Sequence, residues 1–189
     1  MDIKSYSLNF VTDRRPIIPV TICGVKVMAI VDTGARTPVW TSSIHYLIDV
    51  LKKSLIVDNA GDFLDKNYKG KFLVGGFGGR NLCDTYTMSV CIGNWSFGNV
   101  PVSINDIQTH NLFDFLVPAD MLTSFNYKVD NHNSKFIIEQ IEDHPRCKLK
   151  LYKKSSNNKT VSESFYCFLE ESVEEDKSDK LSSRMVDFW

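Results

Sequence analysis

The sequence predicts an all-β fold, and two observations carry that expectation. Residues 19–31 read as two short β-rich strands around a Cys23-Gly24 turn, the second of them running apolar into Asp32. Residues 71–80 form a glycine-rich tip between two strand-like stretches. There, Gly75, Gly76, Gly78 and Gly79 surround Phe77, a composition that lets a hairpin tip take positive φ and approach a ligand backbone closely.

Between these two features the period changes. Ile44, Leu47, Ile48, Leu51 and Leu55 follow Thr41, Ser42 and Ser43 at helical spacing, which predicts an inserted amphipathic helix with a hydroxyl N-cap. Its apolar stripe is read as core, not as a partner site. The chain of 189 residues, 43% hydrophobic and 24% charged, is long enough for one core, so a single globular domain over 1–140 is expected.

After about residue 140 the character shifts. Residues 146–154 alternate basic and apolar, Ser155 to Lys159 read as a linker, and Val161, Phe165, Tyr166, Phe168 and Leu169 form an apolar island before an acidic run. The sequence then reaches Met185-Val186-Asp187-Phe188-Trp189. Residues 141–189 are therefore expected to be a charged extension whose apolar parts dock on the domain, on a partner subunit or in a cleft.

A net charge of −1 gives no pull toward nucleic acid or membranes, and neither is expected as a partner. No stretch is long and apolar enough to span a bilayer, and residues 1–5 lack a signal peptide's apolar run, so a cytoplasmic location is expected. The five cysteines, Cys23, Cys83, Cys91, Cys147 and Cys167, have no metal-ligand spacing and read as free thiols. His45, His110, His132 and His144 are scattered. No metal, no cofactor and no Cys-His nucleophile are expected.

The run from Ala29 to Ala35 sets the Asp32 carboxylate on a tight glycine-containing turn directly after an apolar strand. Asp-Thr-Gly arises by chance in roughly a few per cent of chains this long, but an idle turn aspartate needs no apolar strand leading into it. The arrangement looks like half of an aspartic protease site, in which one carboxylate activates a water while a second protonates the scissile carbonyl. The sequence holds one copy, so the second carboxylate would come from another chain. The glycine run, in contrast, lacks the Lys-Ser/Thr of a phosphate-binding loop and no helical pattern follows it.

Together the two runs resemble the retropepsin family, the homodimeric aspartic proteases of retroviruses and their relatives, over residues 16 to 140. Asp32-Thr33-Gly34-Ala35 matches the catalytic turn and Gly75-Gly76-Phe77-Gly78-Gly79 the flap tip. Residues 85–93 resemble the returning flap strand and 100–104 the strand after it. Residues 115–122, followed by 125–130 and 135–138, resemble the closing strand, short helix and final hairpin. The resemblance implies a closed β-barrel acid-protease fold, a symmetric homodimer, Asp32 as catalytic residue, and Thr33 and Gly34 as its support. Ala35 and the flap residues Gly75, Gly76, Phe77, Gly78 and Gly79 would bind an extended peptide or protein substrate.

Two departures from the family pattern stand out: Pro118 occupies a position usually held by Gly, and more sequence separates catalytic turn and flap than in the compact viral enzymes. Pro118 is the feature favouring an alternative, a catalytically weak peptide-binding or dimerisation module of the same fold. Arg36 and Asp120 stand where viral relatives carry an acid and a nearby base, which raises an ion-pair brace of reversed polarity; the alternative is a solvent-facing Arg36 and an Asp120 that caps its helix.

Overall fold

The computed structural model describes residues 5–9, 16–76, 79–107, 112–141 and 145–171. Strand β1, Ser5–Asn9, is followed by β2, Ile17–Ile22, and β3, Val25–Asp32. Cys23 and Gly24 join β2 to β3 with φ of 48° and 81°, the two positive values of a hairpin turn that matches the strands' right-handed twist. Cys23 N–H donates to the Ser89 carbonyl at 2.9 Å, and its own carbonyl accepts from Ser54 Oγ at 2.6 Å.

After β4, Val39–Trp40, comes helix α1, Ile44–Lys52, capped as expected: Ser43 Oγ accepts from Tyr46 N–H at 3.2 Å. Leu47, Val50 and Leu51 are buried, so the stripe is core. The expected stripe ran to Leu55, but the helix ends at Lys52 and Leu55 is fully exposed. The buried hydroxyl of Ser54, tied to the β2–β3 turn, turns the chain off the helical path. A second helix follows, α2, Ala60–Asn67, with Asn59 accepting from Asp62 N–H at 3.0 Å as its cap.

Strands β5, Tyr68–Gly76, and β6, Gly79–Ile92, form the long antiparallel hairpin that the glycine run predicts. Phe77 and Gly78, at its tip, lie outside the described residues. Strand β7 is Trp95–Ile104 and β8 is Phe115–Pro118, which leads into a single 3-10 turn, Ala119–Leu122. Strands β9, Phe125–Asp130, and β10, Lys135–Gln140, make the next hairpin, and β1 pairs with β10 to give a three-stranded sheet.

The last hairpin corrects the expected boundary at residue 140. Strands β11, Cys147–Lys154, and β12, Thr160–Glu171, belong to the main sheet, whose ladder runs β11-β12-β7-β4-β8-β3-β2-β6-β5. Its two ends meet at the pair Tyr152↔Leu73. Cys147, Leu149, Leu151 and Cys167 point into the same core as Ile18, Trp40, Phe97 and Phe115. The expected linker is the hairpin's turn: Ser155 N–H donates to Lys159 O and Asn158 N–H to Ser155 O, both at 2.9 Å, with Asn158 at φ 61°. Of the expected apolar island, Phe165 and Leu169 pack on the core, while Tyr166 and Phe168 face solvent.

The fold is thus mostly β, as expected. No helix among the described residues is long and apolar enough to cross a membrane. Residues 185–189, His110 and His144 lie outside the described residues.

Candidate active site

Strand β3 delivers Asp32 to the surface. Ala29 and Val31 point into the main core, Ile30 packs on Ile17 and Phe113, and the next three residues, Asp32, Thr33 and Gly34, are exposed. Burial on both faces of the strand fixes where the carboxylate emerges. Gly34 N–H donates to Asp32 Oδ1 at 2.9 Å and Ala35 N–H to the Asp32 carbonyl at 3.2 Å, closing a tight turn on its own aspartate. A side chain at Gly34 would crowd this arrangement: a Cβ there would stand 3.3 Å from Asp32 Oδ1.

The turn is held from two sides. Strand β3 pairs in parallel with β8, Asp32 lying opposite Pro118. Pro118 is buried with φ −80°, within proline's own range, so it sits in the ladder without strain. One residue later Ala119 N–H donates to the Ala35 carbonyl at 3.3 Å. Strand β4 then runs antiparallel to β8 and parallel to β7, so the chain leaving the turn crosses the end of β8. Thr41 N–H bonds the Asp114 carbonyl at 2.9 Å, and Ser42 Oγ donates to Asp114 Oδ1 at 2.7 Å. These ties join residues some 70 positions apart, and no local pattern announces them.

The reversed ion-pair brace is not formed: among the described residues Arg36 and Asp120 make no ion pair, and Arg36 is exposed. The loop is braced by backbone instead, through Ala35 and Ala119.

Of the expected flap residues, Gly75 pairs with Arg80 and Gly76 with Gly79, whose φ of 120° only glycine adopts freely. The hairpin's stem is anchored beside the aspartate turn, because Val74 and Cys83 cluster with Val39 of β4 and Leu116 of β8. Burial pushes the Cys83 thiol up from its ordinary range. At the root, Asp84 accepts from the Tyr68 hydroxyl at 2.9 Å, which raises that phenol, and pairs with Lys71 at 3.4 Å.

No protein-family model and no curated protein sequence matches the chain. Among solved structures, one titled "Crystal structure of a retropepsin-like aspartic protease from Rickettsia conorii" aligns with 74% of this chain and 92% of its own, at 18% identity and a TM-score of 0.46. At that identity and score the likeness assigns neither activity nor site residues to this chain.

Proposed function

We propose that this chain is an aspartic endopeptidase of the retropepsin-like kind, active as a symmetric homodimer. The observation that carries the reading is Asp32 itself: one carboxylate at the end of a buried strand, oriented by Gly34 N–H at 2.9 Å, and exposed where a second chain can meet it. Among the described residues the carboxylate's one hydrogen bond comes from its own turn. A two-fold contact at this surface brings two copies of Asp32 together, with Thr33 and Gly34 holding them across the axis. One carboxylate then takes a proton from the attacking water while the other protonates the carbonyl oxygen, and the peptide bond is hydrolysed with no covalent intermediate.

The β5–β6 hairpin is the flap in this reading. Its glycine tip, with Phe77, closes over an extended peptide, adds main-chain hydrogen bonds and excludes water. Val74 and Cys83 pack on Val39 and Leu116, which fixes the flap's stem. Ala35 adds substrate contact beside the dyad.

A second reading is a peptide-binding or dimerisation module that cuts poorly, favoured by Pro118 opposite Asp32. Incubating the purified chain with a peptide library and reading new termini by mass spectrometry separates the two. The enzyme reading expects cleavage that Asp32→Asn abolishes; peptide binding without cleavage supports the module.

A further inference from the structure

Strand β12 turns two aromatic rings into solvent. Along it Ser162, Ser164, Tyr166, Phe168 and Glu170 face outward while the residues between them face in, and Tyr166 and Phe168 are 67% and 66% exposed. On the neighbouring strand Lys148 lies opposite Tyr166, its ammonium 5.4 Å from the ring centroid. Lys150 faces the same way, over the ring of Tyr152 at 5.8 Å. On the other flank Phe168 lies opposite Gly98 of β7, where a Cβ would stand 3.5 Å from the Phe168 Cβ. The outer sheet face thus carries two adjacent rings, a bare glycine on one side and a row of lysines on the other. Ring surface of this extent gains by leaving water, and the lysines favour an acidic group beside it.

The complementary chemistry lies in the sequence that continues from β12. Met185-Val186-Asp187-Phe188-Trp189 holds two aromatics and two aliphatics around a single carboxylate. We propose that this segment folds back onto the β11–β12 face of its own chain, Phe188 and Trp189 covering Tyr166 and Phe168 while Asp187 meets Lys148. The reach is right. Tyr166 lies five residues back along β12 from Glu171, roughly 17 Å at about 3.4 Å per residue. Thirteen residues, 172–184, link Glu171 to the segment, and at no more than about 3.3–3.6 Å per residue they can cross that distance more than twice over. Because both partners are on one chain, the contact is intramolecular, so a weak one suffices.

The full chain labelled with 5-fluorotryptophan tests this by fluorine NMR. Trp40 and Trp95 are 0% and 1% exposed and report on the core, and Trp189→Phe assigns the third resonance. The expected result is a Trp189 resonance displaced from its position in denaturant. Phe168→Ser and, separately, Lys148→Glu should return it there while the Trp40 and Trp95 resonances stay put. A Trp189 resonance already at its unfolded position, or a displaced one that ignores both substitutions, overturns the proposal. A displacement lost on dilution makes the occupant a second copy, and overturns it too. So does a labelled single-stranded oligonucleotide that binds the unaltered chain through Lys148 and Phe168 without moving Trp189.

Discussion

Ala119 donates its backbone N–H to the carbonyl of Ala35 at 3.3 Å, so the loop that follows Asp32 hangs from the first residue of the 3-10 turn. Proline is tolerated at a first helical position and lacks only this N–H. Ala119→Pro therefore removes the tie with little else, since Pro118 before it is already extended at ψ 159°. We expect a loss of about 1 kcal/mol in denaturant unfolding, the net worth of one hydrogen bond, with a larger proportional loss of peptidase activity. Unchanged activity would show that the catalytic loop needs no such brace.

Gly34 lies against the carboxylate it orients. Gly34→Ala puts a methyl 3.3 Å from Asp32 Oδ1 and forces the carboxylate to shift by a few tenths of an ångström. Because the site is at the surface, stability should change by less than about 1 kcal/mol, whereas kcat/KM should fall on the order of tenfold or more through misplacement of the reacting group. Comparing melting temperature with kcat/KM checks the split.

The β11–β12 hairpin is structural. Leu149 is fully buried in the main core, and Leu149→Ala should cost about 2–5 kcal/mol in equilibrium unfolding. A loss below about 0.5 kcal/mol, the usual range for surface substitutions, would mean that the hairpin is an appendage after all.

Two buried thiols set an alkaline limit on stability. The hydrogen bond with Cys167, and then burial, push the Cys147 thiol well above its ordinary range. Burial raises Cys23 against an opposing hydrogen bond from Ser89. A folded-state pKa above the unfolded one means that the folded chain holds the proton longer. This contribution is whole below the unfolded cysteine pKa of about 8.5 and is lost as pH rises beyond it. Unfolding free energy should fall between pH 8 and 10, and less so in Cys147→Ala measured against its own neutral-pH value. A stability that stays flat over that window would contradict the assignment.

The parts of this molecule legible in the sequence are those specified locally. Cys23-Gly24 sits where only a positive-φ pair closes the hairpin, Ser43 precedes a helical stripe, and the apolar run from Ala29 to Val31 announces where Asp32 emerges. The alternation of Cys147, Leu149 and Leu151 with lysines was equally visible, yet its membership of the main sheet depends on pairing with β12 and, at one point, with Leu73, contacts far away in sequence. Leu55 kept the helical period but not the helix, because Ser54 bonds a carbonyl 31 residues earlier. Arg36 and Asp120 had matching charges, but charge alone does not place side chains. The backbone tie next to them leaves no mark in residue type.

A catalytic pair shared across two chains is tested most directly by mixing. Unaltered and Asp32→Asn chains are combined at constant total concentration, allowed to exchange subunits, and assayed on a cleaved peptide. If each active site needs Asp32 from both protomers, activity follows the square of the unaltered fraction and drops to about one quarter in an equal mixture. Activity that falls only in proportion, to about one half, or an Asp32→Asn chain that cleaves as well as the original, would contradict the account.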